Sequence, residues 1–203
     1  MKPNASNQPG LTRRKGLGAI LLLVLSLFIC PAARSQEAVP VEQLKAAFLY
    51  NFVRLVEWPT NAFAGDSTPI TIGVFAGEKD KFPGDLATLL KDKKAHNRAI
   101  IVKRLSAPAD AASCQVVFVA DGESRRMPQI TDATRKKPIL LIGEADDFLD
   151  SGGMINILQD ERQKRLLFDI NPQAAEECNL TVSSHLRLLA RKTTPPKKAG
   201  GAE

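Results

Sequence analysis

The sequence predicts an α/β fold: one domain with a mostly parallel sheet, helices on its faces and an antiparallel hairpin at one edge. Three observations carry this. Helical and extended hydrophobic patterns alternate along the chain. The runs Val116-Val117-Phe118-Val119-Ala120 and Ile139-Leu140-Leu141-Ile142 are apolar without interruption, as in strands buried on both faces of a parallel sheet. Further on, two extended segments flank a short polar turn, which suits an antiparallel pair.

Taken in order, residues 1–35 read as a cleaved export signal. Arg13-Arg14-Lys15 forms its charged region, residues 17–30 its apolar run, and Ala33-Arg34-Ser35 places small residues for cleavage before Gln36. That run is shorter than the roughly 20 residues a membrane span needs, so the mature chain of 168 residues is expected to be soluble and extracytoplasmic. A twin-arginine reading of Thr12-Arg13-Arg14 is weakened by the Lys-Gly-Leu that follows. A lipoprotein reading of Cys30 is weakened by the bulky Leu27-Phe28-Ile29 before it.

Over residues 41–57 the apolar positions Leu44, Phe48, Phe52, Leu55 and Leu49, Val53, Val56 recur at helical spacing. They cover an arc of about 180°, wider than the ~100° stripe an ordinary surface helix requires. Ile70-Thr71-Ile72-Gly73-Val74-Phe75 is a strand, Phe82-Pro83-Gly84-Asp85 opens a helix through Leu86, Leu89 and Leu90, and Ala99-Ile100-Ile101-Val102 is a second strand. The run at 116–120, a polar-faced helix over 124–135 and the strand at 138–142 repeat the pattern. A helical turn over 145–149 and the turn Gly152-Gly153 lead into the hairpin, Met154-Ile155-Asn156-Ile157 and Arg165-Leu166-Leu167-Phe168-Asp169-Ile170 around the polar residues 159–164. Asn171-Pro172 supplies an N-cap with proline at the first helical position. A last helix runs from Ser183 or Ser184 to Ala190, with Val182, Leu186 and Leu189 inward. The domain is expected to span residues 36–191. The basic tail 192–203, with Thr193-Thr194-Pro195-Pro196 and Gly200-Gly201, lacks the apolar surface to order itself.

The formal charge of +6 is misleading. Residues 1–35 hold five basic side chains and no acidic one, and without them and the tail after Ala190 the balance is 19 basic against 21 acidic. Nucleic-acid binding is discounted, because a near-neutral domain has no basic excess to set against phosphates. Two cysteines remain after processing. An even count in an oxidising compartment favours a Cys114–Cys178 disulfide over two free thiols, and such a bridge would favour folding by roughly 4 kcal/mol by closing so long a loop. Both residues fall where strands begin and helices finish, so one sheet edge should hold them.

Catalytic signals are thin. His96, in the loop Lys93-Lys94-Ala95-His96-Asn97-Arg98, reads as solvated, and His185 as packed or capping. No serine or cysteine sits in a nucleophile elbow and no histidine pair has zinc spacing. Neither catalysis nor a metal or other cofactor is expected. Glu144, Asp146, Asp147 and Asp150 read as a solvated helix start. Strand-end crevices of α/β sheets do bind ligands, so Gly73, Asp121 and Gly143 are the candidate ligand residues if the protein is a small-ligand sensor. The glycines at 73 and 77 do not complete a dinucleotide fingerprint.

Ala46-Ala47-Phe48-Leu49-Tyr50-Asn51-Phe52-Val53-Arg54-Leu55-Val56-Glu57-Trp58-Pro59 resembles the opening helix of the YfiR-like periplasmic proteins. The resemblance continues through Ile72-Gly73-Val74, Cys114-Gln115-Val116-Val117-Phe118-Val119, residues 138–143, Gly152-Gly153-Met154-Ile155-Asn156, residues 166–171 and Leu180-Thr181-Val182-Ser183-Ser184. It implies a Rossmann-like α/β fold, often dimeric, without known catalysis. It also implies a periplasmic regulator that represses a membrane-bound diguanylate cyclase through that enzyme's periplasmic portion, relieved by an outer-membrane lipoprotein or by reducing conditions. Cys114 matches the family cysteine at the start of its strand, whereas Cys178 lies elsewhere, so redox control of the family's kind does not carry over directly. The wide apolar arc of the first helix fits a partner-binding role, with Tyr50, Phe52 and Trp58 as the candidate residues of a partner or dimer interface. For Phe48 and Phe52 the core reading comes before the interface one, whereas Tyr50 and Trp58 are open to both.

Overall fold

The computed structural model describes residues 39–160, 162, 163 and 165–193. The expected export signal and the tail from residue 194 lie outside them. Helix α1, Val41–Leu55, begins in a run of good helix formers and stops where the chain turns extended. The helical pattern carries on to Glu57, but Val56–Glu57 is strand β1. Trp58 precedes Pro59, and proline drives the backbone before it out of the helical region.

The next elements are β2 (Ile70–Phe75), α2 (Phe82–Leu89), β3 (Lys94–Ala95) and β4 (Arg98–Arg104). They are followed by β5 (Val116–Val119), α3 (Met127–Thr134), β6 (Leu140–Gly143), β7 (Ile155–Asp160) and β8 (Arg165–Ile170). The chain finishes with α4 (Pro172–Glu177), β9 (Thr181–Val182), α5 (Ser184–Leu189) and β10 (Lys192–Thr193). Every residue of β2, β5 and β6 is buried, as the uninterrupted apolar runs require. The expected caps form: Asn171 Oδ1 accepts from Ala174 N at 3.1 Å, and Ser183 Oγ from Leu186 N at 3.2 Å.

The main sheet has the order β10-β8-β7-β6-β5-β2-β4-β3. Pairing is parallel from β4 through β2, β5 and β6 to β7, and antiparallel in the β7–β8 hairpin and the short β3–β4 hairpin. The crossover β2-α2-β4 runs one way along the sheet and β5-α3-β6 the other. Right-handed connections therefore put α2 and α3 on opposite faces. This is the α/β sandwich the sequence predicts.

Several local expectations are corrected. The hairpin is not the outer edge, because Lys192–Thr193, read as disordered tail, pairs parallel with Asp169–Ile170 of β8. Arg191 anchors this addition through Nε and Nη2 bonds of 3.0 and 2.6 Å to the buried Asp169 carboxylate. β1 and β9 form a separate two-stranded antiparallel sheet that ties the end of α1 to the start of α5. The 124–135 helix opens as a 3₁₀ segment, Asp121–Arg126, and residues 145–151 make turns without a helix.

Candidate functional site

The order β4-β2-β5-β6-β7 reverses between β2 and β5, the kind of switch point beside which open α/β sheets carry ligands. Here the protein's own groups occupy much of that edge. The Arg104 guanidinium holds the chain after β2, donating to the carbonyls of Ala76 at 3.1 Å, Gly77 at 2.6 Å and Asp80. Lys45 Nζ of α1 lies 2.7 Å from Glu144 Oε1 after β6. Burial pushes the Glu144 carboxyl above its ordinary pKa, Lys45 draws it back, and Asp121 and Asp80 push it further up. Glu144 is thus a mostly buried partner of Lys45, which corrects its reading as a solvated helix start.

The space over the two candidate crevice glycines is filled. A methyl group on Gly73 would meet Leu105 Cδ1 at 2.5 Å and Cys114 Sγ at 2.8 Å, and one on Gly143 would meet the Phe148 ring at 2.3 Å. These glycines admit neighbouring side chains of the chain itself, and of the expected trio Gly73, Asp121 and Gly143 only Asp121 is exposed. Among the described residues no cluster of histidine, cysteine and carboxylate side chains is placed to hold a metal ion.

The expected disulfide is absent: Cys114 and Cys178 are both free thiols. Both lie at the edge where strands begin, but their side chains face different surroundings. Cys114 Sγ points at Gly73 below β5, whereas Cys178 lies against the backbone of Lys136 and lines a hollow with Leu141 and Met154. Burial pushes both thiols above their ordinary pKa, which makes them poor nucleophiles near neutral pH.

The open apolar feature lies between α1 and α5. Phe48, Phe52, Leu55, Phe168, Leu186 and Leu189 line a groove of about 400 Å³, with Asn51, Arg54 and His185 also lining it. Phe48, Phe52 and Phe168 form an edge-to-face triplet, with centroids 5.0 to 5.8 Å apart. Phe52 is 1% exposed, which overturns its interface reading and agrees with its core one: it is the floor of the groove. The outward apolar surface comes from Leu188, 84% exposed, and Leu189, 58% exposed. Leu189 was expected to point inward. Helical periodicity misses this because α5 ends at Leu189, before a further turn can cover it. His185 is exposed, and the cap belongs to Ser183.

Tyr50 and Trp58 belong to a different patch. Tyr50 donates to the Lys94 carbonyl at 3.0 Å. Trp58 packs edge-on to Phe63 and His96, with centroids 6.4 and 5.8 Å away. The Arg98 guanidinium stacks on Phe63 at 3.9 Å. His96 is exposed, as expected of a solvated loop residue, and also donates from Nε2 to the Val53 carbonyl at 2.9 Å. It occupies the β3–β4 turn with Asn97, both at positive φ, as a two-residue hairpin requires.

A family model described as YfiR/HmsC-like matches residues 42–191. No curated protein matches. Among solved structures, the chain is similar to a conserved domain protein of Vibrio cholerae O1 biovar El Tor at 17% identity and TM-score 0.49, over 75% of this chain and 60% of that one. It is also similar to the ABC domain in complex with L-Trp from Streptococcus pneumonia, at 12% identity and TM-score 0.51, over 73% and 60%. The chain thus spans about 60% of the length of each of these structures, and the second likeness supports the α/β fold alone.

Proposed function

Because the chain belongs to the YfiR/HmsC-like family, whose members are periplasmic regulators of cyclic di-GMP signalling and not enzymes, we propose that it restrains a membrane-bound diguanylate cyclase by binding that enzyme's periplasmic portion. The observation that carries the docking part of this reading is the α1–α5 groove: an aromatic floor edged by the exposed Leu189, with the exposed Leu188 beside it on α5 and outside the groove lining, neither covered by a neighbouring element among the described residues. An exposed apolar surface of this kind is stabilised by a partner. Binding there holds the cyclase in its inactive arrangement, and release shifts the population back. Tyr50 and Trp58, half-buried on their own patch, are the second candidate contact, with the partner or with another copy of this chain. An outer-membrane lipoprotein that takes this protein away from the cyclase would be the relieving partner.

The test is cyclic di-GMP in the host with the gene deleted, complemented by wild type or by Leu188→Asp/Leu189→Asp. Deletion raises the nucleotide, wild type restores it, and the double variant, folded by circular dichroism, does not. No change on deletion refutes the cyclase assignment and favours a periplasmic small-ligand sensor. Full restoration by the variant refutes the groove.

A further inference from the structure

The open edge of the main sheet carries a second surface, independent of the α1–α5 groove. Strand β4 pairs with β2 from Ile100 to Arg104, but β3 covers only Arg98 and Ala99 on the other side. The N–H and C=O of one strand residue point to the same side, and successive residues alternate. Leu105 N donates to the Val74 carbonyl at 2.9 Å, so Lys103 and Ile101 also face β2, and the backbone groups of Ile100, Val102 and Arg104 face outward. Among the described residues no backbone group bonds to these three on that side. Ile101 is 42% exposed, and Ile100 and Val102 are half-buried, so this edge is apolar as well as unpaired.

Its charge is one-sided. Residues 91–104 hold Lys91, Lys93, Lys94, Arg98, Lys103 and Arg104 against a single acid, Asp92, and none of the six cations is in an ion pair among the described residues. Edge lysines oppose pairing of like edges. Two copies joined about Val102 would place Ile100 opposite Arg104 and bring Lys103 and Arg104 of both chains into one short ladder, four cations with no anion. An acidic strand in the same position neutralises them, since opposite charges across a ladder stabilise it.

We propose that the β4 edge takes an extended polypeptide segment of alternating apolar and acidic residues as an added strand, bonded to the backbone of Ile100, Val102 and Arg104. The partner is a protein segment of that chemistry, not a second copy of this chain.

The probe is the peptide Thr-Val-Glu-Val-Glu-Val-Thr, compared with its Glu-to-Lys counterpart, on the folded protein followed by amide hydrogen exchange. In the protein alone the amides of Ile100, Val102 and Arg104 exchange quickly while those of Ile101 and Lys103 are protected; the acidic peptide slows the first three only. Val102→Pro, which removes an outward N–H and no bond to β2, weakens binding about tenfold or more with the fold retained. Lys103→Glu, which leaves the backbone intact, reverses the preference between the two peptides. Three results overturn the proposal: slow exchange of the three amides in dilute protein, protection that rises with protein concentration without peptide, or equal binding of the acidic and basic peptides.

Discussion

Replacing Gly143 by alanine tests the central packing device at the strand ends. Phe148 is fully buried, and its ring is wedged between two glycines. A methyl on Gly143 would lie 2.3 Å from Cδ2 and Cε2, while one on Gly153 would lie 2.2 Å from Cδ1 and Cε1. These are opposite edges of the ring, so the ring cannot retreat from one glycine without closing on the other. Gly143 is also held in register, paired with Val119 on one side and Asn156 on the other. With neither ring nor strand able to yield, Gly143→Ala is expected at the upper end of the overpacking range, about 2–3 kcal/mol. For a domain of this size that lowers Tm by roughly 4–12 °C. The decisive assay is a thermal or urea double-mutant cycle. Phe148→Leu is itself destabilising, but it vacates the ring positions, so adding Gly143→Ala should cost at least about 1 kcal/mol less than in wild type. Additive effects, or a Gly143→Ala protein that melts with wild type, would refute the argument. A glycine kept open for a ligand would instead show unchanged melting and lost ligand binding.

Two other expectations follow from the same chemistry. With Cys114 and Cys178 as free thiols, reductant leaves Tm unchanged and denatured protein reacts at both, whereas a bridge would forfeit roughly 4 kcal/mol on reduction; a Cys114–Cys178 cross-linked peptide in mass spectrometry would sink this. Glu144, whose folded pKa is raised from 4.5, keeps a proton in the native state that the unfolded chain has already lost. Its contribution to stability therefore falls as pH rises from 4.5 through the raised value. In urea titrations over about pH 4 to 7, Glu144→Gln should flatten that decline and Lys45→Met should steepen it. Identical pH profiles for all three proteins would count against the burial argument.

How much was legible beforehand depended on where the signal resides. β5 and β6 could be read directly because a strand buried on both faces writes its environment into consecutive side chains, and the Asn171 cap because a cap acts within one turn. The aromatic pattern of α1 was legible too, and with it the core reading of Phe52, but not what covers that ring: Phe168, far along the chain. The groove escaped because it depends on α5 ending at Leu189 and on β1–β9 pairing to set α5 beside α1.

The sequence by itself determined the layered α/β class, most of the main strands and the neutral balance of the domain, since these follow from local periodicity and composition. Only the tertiary structure decided that Lys192–Thr193 joins the sheet, that Lys45 meets Glu144, that the two cysteines stay apart and that Phe148 fills the space over Gly143. Each of these joins residues distant in sequence through backbone pairing or close packing. Such contacts leave no periodic trace in either segment, because the free energy that selects them arises only when both are in place.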